Sequence, residues 1–223
     1  MNGTQGSSQL GTVLTIVGIA GVFIAAVIFA SRSGRKHEKA TREFAQAQGW
    51  SFSRNETQEH TAQVEELFPE EKFNLAYIVT VESGSRKLFL FDGSYRHRAA
   101  RSGGQLVSVC LIESSRFRSV GSRVEIIART WTDEKLLPGQ VDLGDSKFAR
   151  NFLVLSKDAA SARQILNESL QAVLLAHLRK PLYNPVQIAL GTGRAALLTG
   201  YIAEPERWHD LVDLGRQIES AVR

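Results

Sequence analysis

Leu10 to Ala30, LGTVLTIVGIAGVFIAAVIFA, restricts what this chain can be more than any other stretch: 21 residues carry no charge, and twelve are Leu, Ile, Val or Phe. As a helix rising about 1.5 Å per residue it reaches roughly 31 Å, the thickness of a bilayer's hydrocarbon core. Each aliphatic or Phe position near the centre favours insertion by about 0.3–0.6 kcal/mol. A core helix of a water-soluble domain keeps a polar face over such a length, and this segment has none. The expectation is one transmembrane helix at residues 10–30, preceded by a short extracytoplasmic tail, residues 1–9.

The flanks orient it. MNGTQGSSQ carries no side-chain charge, whereas SRSGRKHEKATR carries Arg32, Arg35, Lys36, Lys39 and Arg42 against Glu38. Basic residues close to a span stay on the cytoplasmic side. A single-pass plasma-membrane protein follows, with its N-terminus out and a cytoplasmic C-terminal domain. A cleaved signal peptide fits less well, because there is no basic region before an apolar run that exceeds the usual ~7–15 residues. Arg32, Arg35, Lys36 and Lys39 are then membrane-surface residues, drawn to anionic headgroups. Gly11, Gly18 and Ala25, with Thr15 and Val22 between them, lay a stripe of small residues along the span. Such stripes let helices approach closely in lipid, which makes self-association through the span one reading; the other is that Gly and Ala are simply common in spans.

Five of the 27 Lys+Arg and one of the 23 Asp+Glu fall in residues 1–42, so the net charge of +4 belongs to the flank and the rest is balanced. A balanced domain lacks the basic face that phosphate backbones require, which argues against nucleic acid. The single cysteine, Cys110, excludes an intramolecular disulfide and fits a reducing compartment. It sits in GQLVSVCLI, apolar on both faces, as a buried structural thiol would.

Residues 31–49 read as a basic juxtamembrane helix stopped by Gly49, with Ala40, Phe44, Ala47 and Trp50 as its apolar face. Residues 50–223 then make one domain. Glu59 to Phe68 is a short helix ended by Pro69. From residue 75 the period changes to two: 75–81 and 87–93 read as a hairpin, followed by strands at 105–113, 122–130 and 151–156. Asp158 caps one long amphipathic helix ending before Pro181, 186–191 and 194–200 form a second hairpin, and Pro205 opens a last helix faced by Trp208, Leu211, Val212, Gly215, Ile218 and Val222. Strands in succession without intervening helices make an antiparallel sheet, so the class is α+β: an N-terminal transmembrane helix followed by an antiparallel sheet with packed helices.

Catalytic patterns are missing: no HExxH, CxxC, GxSxG or Walker-type loop occurs. Neither a cofactor nor a metal site is expected, since the five histidines have no ligand spacing. His177 suits the C-terminal end of its helix. Gly191-Thr192-Gly193-Arg194 lies between strands and reads as a hairpin turn instead of a phosphate cradle. Asp142 and Asp145 flank Gly144 as in a side-chain-stabilised turn. Arg96, His97, Arg98 and Arg101 crowd into an apparent loop, SYRHRAARSGG, and Arg96, Arg98 and Arg101 are the candidate ligands for an anion.

REFAQAQGWSF (42–52), FDGSYRHR (91–98) and DSKFARNFLVLSKD (145–158), in that order behind a span and a basic flank, resemble a group of uncharacterised bacterial single-span membrane proteins. The resemblance implies a short-tailed anchor carrying one cytosolic α+β domain, and it assigns no catalytic residue. The expected function is a membrane-tethered interaction or adaptor module, working on the bilayer and a protein partner. An anionic-ligand or lipid-headgroup binding domain is the alternative, and an unrecognised hydrolase built on Asp142, Asp145 or His97 is the third.

Overall fold

Alternating apolar residues from Phe73 onward build a sheet that runs through the whole C-terminal part of the chain. The computed structural model describes residues 34–83, 86–98, 104–129, 138–178 and 187–222. The expected span at 10–30 and its stripe of Gly11, Gly18 and Ala25 lie outside the described residues, as do Arg32 and Arg101. Among the described residues no helix is long and apolar enough to cross a membrane.

Helix α1 covers 34–47 and stops, as expected, at Gly49, whose φ of 71° is the left-handed conformation glycine adopts freely. Residues 1–43 and 44–223 are separate compact units. In the first, Arg35, Lys36 and Lys39 are exposed, and Lys39 pairs with Glu43 at 3.7 Å. In the second, Ala45 is fully buried while Ala47 is exposed, so the apolar face of this helix runs through Ala45 and Phe44 instead of the expected Ala40–Ala47 line.

Eight strands follow: β1 (Ser51–Ser53), β2 (Glu71–Ser83), β3 (Arg86–His97), β4 (Gln105–Glu113), β5 (Val124–Ala128), β6 (Phe152–Ser156), β7 (Gln187–Gly191) and β8 (Arg194–Gly200). They form one sheet in the order β1-β2-β3-β4-β8-β7-β5-β6, and every neighbouring pair is antiparallel. The helices are α2 (Thr57–Leu67), α3 (Lys147–Asn151), α4 (Ala159–Ile165), α5 (Glu168–His177) and α6 (Trp208–Ala221). The α+β class with an antiparallel sheet and packed helices is what the structure shows.

Each face of the sheet owns a core. Leu88, Leu90, Cys110, Ile112 and Leu197 point to the side packed by α4, α5 and α6; Ile78, Phe89, Phe91, Val109 and Leu198 point to the side packed by Val64, Leu67 and Phe68 of α2 and its exit. Trp208, Leu211, Val212, Gly215 and Ile218 of α6 are all buried, as their spacing required. Gly215 is a close-approach position: a Cβ there would stand 3.2 Å from both Leu88 and Ile112 side chains.

The long helix expected behind Asp158 is two. Asp158 caps α4, accepting from the amides of Ala160 and Ser161 at 3.0 and 3.1 Å. The chain then breaks at Leu166, and Asn167 starts α5 by accepting from the Leu170 amide at 2.9 Å. Its amide nitrogen donates to the Ala221 carbonyl at 2.8 Å, tying α5 to the end of α6. Asn167→Ala is expected to lower stability by about 1–2 kcal/mol, the usual cost of a lost N-cap, read from the urea midpoint.

Candidate functional site

The hairpin β2–β3 places the residues of interest. Its register skips between Leu75 and Tyr77, a bulge that leaves Ala76 unpaired. Past it, Tyr77 faces Asp92, Asn74 faces Ser94 and Lys72 faces Arg96; on β4, Ser108 faces Asp92 and Leu106 faces Ser94. These residues share the α6 side, in rows that run from the core outward.

Asp92 is the innermost, 4 % exposed. Its carboxylate accepts from the Tyr77 hydroxyl through one oxygen and the Ser108 hydroxyl through the other, and Ser108 in turn accepts from the Ile202 amide at 3.0 Å. Burial, followed by the Asp92 charge, pushes the Tyr201 hydroxyl up to about 12. Three strands and the segment leaving β8 thus converge on one acid. Ser108 donates to Asp92 and accepts from Ile202, and it is fully buried. The alternation Leu88, Leu90, Asp92 already pointed this aspartate inward, a signal that the apparent polar loop following it obscured.

The loop itself is a correction: Arg96 and His97 are strand residues, opposite Lys72 and Glu71, because β3 continues to His97. Arg98 follows in the turn and pairs with Glu65 of α2 at 3.0 Å, a half-exposed ion pair that engages its guanidinium. Arg96 is exposed and has no ion-pair partner among the described residues. Arg96 and Arg98 therefore point apart, Arg96 to the α6 side and Arg98 to α2, while Arg101 lies outside the described residues.

Val107 and Leu198 point to the α2 side of the sheet. A pocket of about 230 Å³ is floored by Val107, Ile127 and Leu198 and rimmed by Tyr95, Gln105 and Gln187, so side chains of five successive strands meet in it. Glu125 lies on the same side, 6 % exposed, held by Arg123 and by Gln187 at 2.5 Å. Burial raises the Glu71 carboxyl above its ordinary value; His97 opposes this and Glu125 adds to it.

Elsewhere the expected turns are present. Asp142 accepts from the Gly144 amide at 2.8 Å, and Gly144 has φ 64°. Asp145 meets Arg150 only at 3.6 Å in an exposed pair. Ser146 caps the short helix α3 by accepting from the Ala149 amide at 3.0 Å. Thr192 and Gly193 turn the β7–β8 hairpin. His177 ends α5 and is buried, while His209 packs edge-on against Trp50 and Phe44. Among the described residues, no three or more His, Cys, Asp or Glu are grouped to hold a metal ion.

Cys110 is fully buried between β3 and β8, and burial pushes its thiol from 9.0 to about 12. The folded state therefore holds this proton more tightly than the unfolded chain does. The stability it contributes is present below pH 9.0 and is lost as pH rises toward 12. Native protein should leave a maleimide unreacted and take up one equivalent on unfolding, and Cys110→Val should flatten the alkaline loss of stability; thiol labelling and urea midpoints across that range check both.

The described residues thus form one antiparallel sheet packed by α2 on one face and by the C-terminal helices on the other. No family model and no curated protein matches the chain. A solved structure does: the crystal structure of the mycobacterial trehalose monomycolate transport factor A, TtfA, aligns over 85 % of this chain and 96 % of its own with a TM-score of 0.54 at 13 % identity. The two share a fold.

Proposed function

We propose that this chain is a membrane-tethered, non-enzymatic module: residues 10–30 anchor it in the bacterial inner membrane, and residues 44–223 engage a protein partner on the cytoplasmic face. The observation that carries the proposal is the end-to-end likeness of the domain to a protein named as a transport factor. A fold shared with such a factor fits a domain that assists another membrane component better than one that turns over a substrate. The apolar segment and its one-sided basic flank supply the tether and its direction.

Expressed in a bacterial inner membrane, the full chain should resist carbonate extraction, and a reporter fused behind Arg223 should be active only in its cytoplasmic form. Site-specific photo-crosslinkers on the domain surface should trap a membrane protein in constant ratio. A reporter exposed outside, or a purified chain that hydrolyses a substrate and loses that activity with Asp142→Ala, would discard the proposal.

The second proposal, anionic headgroup binding, is favoured by one observation. Lys72 and Arg96 stand directly opposite on β2 and β3, both exposed and both without a carboxylate partner among the described residues. Like charges in such a pair are destabilising unless an anion joins them.

A further inference from the structure

We propose that the open end of the α6 side of the sheet is a peripheral docking surface for an anionic bilayer, in which Lys72 and Arg96 hold lipid phosphates while Leu106 and Tyr201 enter the interface. The proposal rests on the tether proposed above and names what the anion-binding face takes.

Four placements converge. Among the described residues two large hydrophobic side chains are exposed, Leu106 at 63 % and Tyr201 at 37 %, and both lie at this end. Leu106 occupies the row of Asn74 and Ser94, one row in from Lys72 and Arg96. Tyr201 directly follows the last residue of β8, Gly200, which pairs with Val107 beside Leu106. An exposed leucine, a partly exposed tyrosine, two cations and the donors of Asn74 and Ser94 thus lie together, and this mixture suits the boundary between headgroups and acyl chains. Phosphate oxygens would also relieve the repulsion between Lys72 and Arg96.

The cations here differ from those elsewhere on the sheet. On the strands, Arg86 is paired with Glu219, Lys87 with Glu82 and Arg194 with Glu66. Only the pair beside Leu106 is left without an acid, among the described strand residues. Placement within the unit agrees. Phe44, its first residue, packs on Trp50 and His209; neighbouring Trp208 stacks on Tyr77, in the row next to Asn74. Beneath the patch, Asp92 and its hydroxyl partners pin β2, β3 and β4 together, so the rows present a fixed surface.

A basic residue at an anionic surface strengthens association by roughly fivefold, so losing both shifts the docked–undocked balance by about 25-fold. The test uses the full chain carrying Leu106→Cys labelled with a polarity-sensitive fluorophore; native Cys110 is buried and escapes labelling. The chain is reconstituted into phosphatidylcholine vesicles with and without phosphatidylglycerol. With phosphatidylglycerol, the label should shift to an apolar environment and be quenched by lipids brominated on their acyl chains. Lys72→Gln with Arg96→Gln should restore the solvent signal, as should high salt. A label equally wet in both vesicles overturns the proposal, as does quenching that ignores lipid charge and survives the double substitution. Protection of position 106 only when other membrane proteins are added assigns the patch to a protein and likewise overturns it. Carbonate extraction of the same vesicles reports on the tether separately. If the chain washes off, the tether fails, and the label read on the chain mixed with phosphatidylglycerol vesicles still decides the docking.

Discussion

Gly93→Ala is expected to lower stability by about 3 kcal/mol or more, at or beyond the upper end of ordinary overpacking. A Cβ on Gly93 would lie 2.4 Å from the Asn74 carbonyl oxygen and 3.0 Å from the Leu75 Cα. Both are backbone atoms of the paired strand, at the point where β2 bulges, so no side chain can swing aside to make room. Relief requires the bulge to open or slip, and a slip by one residue sends every inward side chain to the wrong face. Gly104→Ala is the control: its Cβ would find the Ser94 Cβ at 3.5 Å, an ordinary contact, and a change within about 0.5 kcal/mol is expected. Urea unfolding followed by tryptophan fluorescence reads both. Equal midpoints for the two variants would mean that the Asp92–Gly93 pair does not hold the bulge.

The same hairpin shows what local pattern carries and where it stops. β4 was legible at 105–113 to the residue and the β7–β8 hairpin within one, because each strand is a short continuous apolar run bounded by glycine or charge. The α6 face was legible from its period of about 3.6 residues. Alternation weakens where polar residues occupy a strand, so the last residues of β3, Ser94 to His97, read as a loop although Asn74, Phe73, Lys72 and Glu71 pair with them. Helix breaks fared likewise: Asn167 lies inside an unbroken apolar stripe, and its role as a cap is set by the Ala221 carbonyl 54 residues away. The insertion of β8 and β7 between β4 and β5 has no local signal at all, since nothing near Val107 announces that Gly200 will lie beside it.

The candidate site divides the same way. Arg96 was singled out from its neighbours in sequence, but its partner in charge is Lys72, 24 residues earlier, brought opposite by hairpin register. Arg98 looked equivalent to Arg96 and is not, because the turn delivers it to Glu65. Leu106 looked like the outset of a buried strand. It is exposed because α6 starts at Trp208, over Tyr77, and covers the sheet from there inward.

Asp92→Ala is expected to cost about 3–5 kcal/mol, and the loss should depend on the groups the carboxylate leaves behind. Tyr77 and Ser108 donate to it from two different strands, and all three side chains are buried. A hydrogen bond to a charged group contributes about 1.5–3 kcal/mol, and an abandoned buried hydroxyl costs about 1–3 kcal/mol more. Tyr77→Phe removes one donor but keeps the ring, which packs between Phe52 and Trp208, so about 2 kcal/mol is expected from it alone. In the Asp92→Ala background the same Phe substitution should be close to neutral, because the hydroxyl it deletes has already lost its acceptor; a coupling above about 1 kcal/mol follows. Asp92→Asn should fall between, since the amide accepts one of the two hydroxyls and offers hydrogens to the other. If Asp92→Ala and Tyr77→Phe prove additive, the acid is not what joins β2 to β3, and the rigidity of the rows above it needs another source.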